Sequence, residues 1–92
     1  MSETYTSAWD ALEDSPEMAE DMKLRSKLMI DLQEHIKARQ WTLIEAARQF
    51  GMTQPRLDDL LRGRVEQFTL DSLVIAASRA GLLVDIQTRY AA

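Results

Sequence analysis

Ninety-two residues, 46% of them apolar, suit one small domain, and a chain of this size buries only about 60–65% of its unfolded surface, so association with a second copy is expected to help it. Without cysteine there is no disulfide framework or thiolate metal site, and with an acidic start and no apolar run of about 18 residues there is no sign of a secretion signal or a spanning helix. The expected setting is cytoplasmic, and the formal net charge of -4 argues against a protein that grips phosphates indiscriminately.

Residues 1–14 lack helical periodicity and carry only Tyr5, Trp9 and Leu12 as apolar anchors, so they read as a flexible acidic arm. Ser15-Pro16-Glu17 marks a helix start: a hydroxyl cap, proline where a missing amide hydrogen costs nothing, and a carboxylate at the positive end of the dipole. Met18, Met22, Met29, Leu32 and Ile36 keep a mostly 3–4 spacing, with Leu24 and Leu28 widening the stripe. One long helix, or two with a kink, is expected to about Arg39, with the methionines in the core or, less simply, facing a partner groove. His35, the single histidine, has no ligand or triad companions and reads as a surface residue compensating the dipole near the helix end.

Between Trp41 and Gly63 two short helices flank a glycine. Thr42 caps the first, Glu45 is placed to reach back to the cap amide, and Trp41 stands where a hydrophobic staple packs toward Ala46. Ile44, Ala47 and Phe50 form the expected inward stripe, Ala47 being small enough to let the next helix cross closely, and Gly51 is the positive-φ stop. Thr53 caps the second helix, Pro55 falls in its first turn, and Leu57, Leu60 and Leu61 are expected inside before Gly63 ends the segment. Two helices around such a turn outline a DNA-reading helix-turn-helix.

After a loop over residues 64–68, Thr69 caps a further helix with Leu70, Leu73, Val74 and Ala77 inward, ended by Gly81. The tail then changes period: Val84, Ile86, Thr88 and Tyr90 alternate with Asp85, Gln87 and Arg89, the pattern of a strand. No partner strand is visible in the chain. Antiparallel pairing with the same strand of a second subunit is therefore expected first, and addition to a sheet in another protein second.

The residues Ala47, Gly51, Met52, Thr53, Gln54, Leu57, Leu60 and Gly63 match the pattern of the phage-repressor (Xre) helix-turn-helix, which this chain resembles. The stretches SAWDALEDSPE, KLRSKLMI, TQPRLDDLLRG and FTLDSL extend the likeness over nearly the whole chain to small Xre antitoxins of the HigA-like group. That resemblance implies a dimeric repressor encoded beside a RelE/HigB-like toxin, with no cofactor and no enzymatic activity. The implied fold class is all-α: a lambda-repressor-like helix-turn-helix domain of four to five helices over residues 15–81, and a dimerising strand over 82–92. Two positions depart from the pattern. Leu43 stands where glutamine is common, and Asp58 and Asp59 put carboxylates on the reading helix, which narrows direct base contact.

On that helix, with about 100° per residue, Pro55, Asp58, Asp59 and Arg62 face away from the leucines, while Gln54 and Arg56 flank the N-terminal end that enters a major groove. Gln54 suits an adenine edge or a phosphate, and Arg56 a guanine edge or a phosphate. Arg62 is a further candidate contact, and all three have plainer readings, Gln54 as an exposed first-turn residue and Arg56 and Arg62 as surface partners of Asp59 and Asp58. Thr42 and Thr53 are caps whose amides also suit phosphate, and Arg48 and Arg64 are phosphate clamps or solvated charge.

Charge is segregated. Residues 1–22 hold seven acids and no base, whereas residues 35–64 hold six Lys and Arg against three acids. The partners that the resemblance implies are double-stranded operator DNA, a second copy and, through the arm with Tyr5, Trp9 and Leu12, a basic toxin surface to which the acidic charge is complementary. The alternatives are a protein-binding module that keeps the fold without the DNA contact, and a plain prophage-type regulator without a toxin partner. Catalysis finds no support in a chain without cysteine, a glycine-rich phosphate loop or metal-ligand spacing.

Overall fold

The computed structural model describes residues 15–91. The expected arm, with Tyr5, Trp9 and Leu12, lies outside the described residues. Four α-helices lie among the described residues: α1 over Pro16–Arg39, α2 over Leu43–Phe50, α3 over Gln54–Leu61 and α4 over Leu70–Arg79, with a 3-10 turn at Val65–Gln67. The first is a single helix of 24 residues, so the kinked alternative falls away.

Each helix starts where a hydroxyl can take an amide hydrogen. Ser15, Thr42, Thr53 and Thr69 accept from the amides of Met18, Glu45, Arg56 and Ser72. The reciprocal half of a capping box is absent at Thr42, because the Glu45 carboxylate is taken up by Arg48 and Gln49. It is present instead at Thr69, where Ser72 receives the cap amide at 3.1 Å.

The four helices also end alike. At each C-terminus an amide reaches the carbonyl five residues back: Trp41 to Ile36, Met52 to Ala47, Arg64 to Asp59 and Leu82 to Ala77. This ending needs a left-handed residue one step earlier. Gly51 (φ 68°) supplies it after α2, but after α1 the position is Gln40 at φ 57°, so that stop is made by a residue whose β-carbon strains it.

The core joins Met29, Leu32 and Ile36 of α1, Ala46, Ala47 and Phe50 of α2, Leu57 and Leu60 of α3, Phe68, and Leu73, Ala76 and Ala77 of α4. Helix α1 packs on α4, on the 3-10 turn and on α3, while α2 lies between α3 and α4. Three inward assignments need correction, one of them Leu24, which is 37% exposed on α1. Ile44 is 69% exposed, since it sits roughly 120° around the helix from Phe50, and Ala46, about 40° away, closes the face instead. Leu61 is 37% exposed at the last position of α3, where no element continues over it.

His35 is also not a plain surface residue. It is half-buried edge-on against Trp41, with ring centroids 5.0 Å apart, and Trp41 in turn meets Phe50 at 5.7 Å.

Residues 82–91 form no strand within the chain. Leu82 and Val84 pack against the core, while Ile86, Thr88 and Tyr90 stay exposed. A ladder needs a second strand, and none exists among the described residues to pair with this one. No helix among the described residues is long and apolar enough to cross a membrane.

Candidate nucleic-acid interface

The α2–turn–α3 unit sets one short helix across another around Gly51. A β-carbon at Gly51 would be strained by its positive φ and would also strike the Arg79 side chain, which runs over the turn and donates to the Gly51 carbonyl at 3.0 Å. Met52 is half-buried against the core, and Thr53 begins α3 directly after it.

Helix α3 is fastened at its far end from α1. Gln33 Nε2 donates to the Leu60 carbonyl at 2.8 Å, satisfying one of the carbonyls that a helix end leaves without an intrahelical partner. Arg25 donates to the Phe68 carbonyl at 3.0 Å while its other terminal nitrogen holds Asp21 at the same distance. The fastening leaves the N-terminal end of α3 open to solvent, with Gln54 and Pro55 both exposed.

Thr42 and Thr53 have their hydroxyls engaged as caps, as the sequence pattern requires. The arginines are more occupied than their positions suggest. Arg56 does not pair with Asp59. Its guanidinium donates to the Gln67 carbonyl at 2.6 Å and stacks 4.2 Å over the Phe68 ring, bracing α3 to the following loop. Arg62 pairs with Asp58 at 2.8 Å, Arg64 with Asp59 at 2.9 Å, and Arg48 with Glu45 at 2.8 Å. Asp58 thus serves as a counter-ion to Arg62 on the exposed side of α3.

Those three ion pairs are exposed, and pairs of this kind are worth only about 0.2–1 kcal/mol each, so a phosphate can take over the arginine at little cost. Lys37 and Arg39, exposed in the last turn of α1 just ahead of the Thr42 cap, make no ion pair among the described residues. The Glu45 carboxyl is held below its ordinary range by hydrogen bonds from Gln49 and then Arg48, so this side of α2 stays anionic and compensated. The Thr69 hydroxyl lowers Asp71 in the same way at the start of α4.

Gln33, Arg25 and Arg79 are site-shaping residues that the sequence reading does not single out. Their partners lie 27, 43 and 28 positions away, beyond the reach of any local pattern. No group of three or more His, Cys, Asp or Glu with metal-binding placement occurs among the described residues.

No curated protein matches the chain at a significant level. A family model described as a helix-turn-helix domain matches residues 11–89, which takes in all four helices, the turn at Gly51 and most of the tail. The chain therefore belongs to the helix-turn-helix domain family and is a regulator of that type.

Proposed function

We propose that this protein is a sequence-specific repressor that binds operator DNA as a homodimer and regulates its own operon. The observation that carries the reading is the α2–turn–α3 unit: both helices are capped, the second is tied down at its C-terminal end, and Gln54 and Pro55 lie exposed at the end that would enter a major groove. Gln54 is the base-reading candidate. Arg48, Arg62 and Arg64, with the cap amides after Thr42 and Thr53, are the phosphate contacts, and Asp58 releases Arg62 on binding.

Dimerisation is assigned to the tail, through Val84, Ile86, Thr88 and Tyr90, and it would present two reading helices to two half-sites. The likeness to Xre antitoxins supports a second role for the same cytoplasmic protein. In that role the acidic segment with Tyr5, Trp9 and Leu12 covers the basic surface of a RelE/HigB-like toxin.

Fluorescence anisotropy against the DNA upstream of the gene and against a scrambled duplex, at two salt concentrations, tests the repressor reading. Selective binding that weakens with salt is the expected result. Equal or absent binding to both duplexes would overturn it. That outcome would favour a protein-binding module, a reading to which the exposed Leu43 and Ile44 at the start of α2 lend support.

A further inference from the structure

The chain leaves α4 at Gly81 and continues beside α1 and α4. Leu82 makes the last backbone hydrogen bond, to Ala77, and from Leu83 to Ala91 none is found among the described residues. Leu83, Ile86 and Tyr90 on this unpaired stretch are 95, 64 and 88% exposed. The same stretch, with α1 and α4, walls a groove of about 730 Å³ that includes Leu28, Val74, Ala77 and Val84. His35 also lines this groove, and its Nε2 is buried without a hydrogen-bond partner. Apolar side chains, free amides and the surface they lack are thus side by side on one molecule.

We propose that the groove is half of a two-fold interface, occupied by the C-terminal segment of a second copy paired antiparallel about Gln87. The inference rests on the homodimer reading above and adds its register. In a two-fold antiparallel pair, opposing positions have a constant sum, and an odd sum would set the apolar face of one strand beside the polar face of the other. Among the remaining registers, only the one centred on Gln87 opposes the two charged residues of the segment, Asp85 and Arg89.

It does so twice, by symmetry. Neither residue has an ion pair within the chain among the described residues. The same register sets Tyr90 against Val84 and Ile86 against Thr88, pairings of aromatic or β-branched side chains that suit a pleated surface. Leu82 and Val84 turn this even-numbered face toward the core, so the even face of the second strand extends it over the groove.

The chain has no cysteine, so single cysteines report the register directly. On the axis, residue 87 meets itself within disulfide reach, whereas residue 85 meets residue 89. Mild oxidation of the full chain should link Gln87→Cys into a dimer at least about tenfold faster than Asp85→Cys or Arg89→Cys alone, and should link the Asp85→Cys/Arg89→Cys double variant. In sedimentation equilibrium, Asp85→Arg should weaken the dimer by roughly tenfold, and adding Arg89→Asp should restore it.

A monomeric wild type, an Asp85→Arg variant that dimerises normally, or faster linkage at 85 or 89 alone would overturn the proposal. The upstream-DNA titration on the same preparations separates the two readings. Linkage at 87 without selective DNA binding removes the repressor and keeps the interface. Selective binding without that linkage does the reverse.

Discussion

Arg56 shows how a residue that pattern places at a DNA groove can be committed to its own fold. Its guanidinium is held by the Gln67 carbonyl and the Phe68 ring, so Arg56→Ala should cost about 1–2 kcal/mol of stability, read in denaturant unfolding. Arg56→Lys, which keeps the charge but loses the planar fork, should recover only part of that cost. Were Arg56 a phosphate contact, its removal would lower the salt slope of DNA binding by about one; the expected slope is unchanged. Gln54, exposed and without a partner among the described residues, is the cleaner probe. Gln54→Ala should leave unfolding unaltered and weaken selective DNA binding by about 1–3 kcal/mol. Equal loss on a scrambled duplex would assign Gln54 to phosphate. Gln40 carries a prediction of the opposite sign. It holds a left-handed conformation that glycine adopts freely, so Gln40→Gly should stabilise the protein by up to about 1 kcal/mol in denaturant unfolding. Glu45 gives a pH signature. Its folded carboxyl is depressed by Gln49 and Arg48, so the stability it contributes is present above the ordinary value of 4.5 and is lost as pH falls through the lower folded value. Thermal melts of Glu45→Gln should therefore depend less on pH than those of the wild type as pH falls from 4.5 through that lower value.

At the scale of elements, the legible part of the fold was the local chemistry of helix ends. Ser15, Thr42, Thr53 and Thr69 cap where their positions before apolar runs say they should, and Gly51, Gly63 and Gly81 end three helices. The fourth stop, at Gln40, carried no glycine or proline and could be placed only by the loss of periodicity. Burial was read well in mid-helix and poorly at the ends. A helix of eight residues has only two turns, so Ile44 near the start of α2 turns away from the core face while Leu61 at the end of α3 projects past it. The candidate interface was legible as positions but not as partners. Arg25, Gln33 and Arg79 work through carbonyls far along the chain, and main-chain acceptors leave no mark on sequence. Helix crossing offers a direct check. Ala47, the small residue expected to let α3 cross closely, is buried, and Ala47→Leu would force extra volume between the helices. The expected loss is about 1–3 kcal/mol, with weaker DNA binding from a splayed α2–α3 pair even at temperatures where the variant stays folded. A variant with normal stability would mean that the helices can separate without penalty, and the close crossing would then not set the reading angle.

For the whole molecule, the net charge of -4 and a DNA-binding surface are compatible only if the acids stay clear of the phosphates. Four acids lie in residues 1–14, without a compensating base, and the paired arginines of the α2–α3 unit contribute little free positive charge. Long-range repulsion should therefore oppose encounter with any duplex, whatever its sequence, and should act beyond the contact surface when salt is low. Exchanging Glu3, Asp10, Glu13 and Asp14 for their amides tests this in the full chain. Binding to scrambled DNA should strengthen severalfold at low salt, through a faster association rate, while the gain should vanish once the Debye length falls to about 3 Å at 1 M salt. The preference for the upstream site over the scrambled duplex should stay nearly unchanged, because neutralisation speeds encounter with both alike. If instead the amide variant binds both duplexes as the wild type does, these acids lie too far from the DNA to limit its access. Their concentration at one end of the chain would then be explained by a basic protein partner, with the toxin surface as the first candidate.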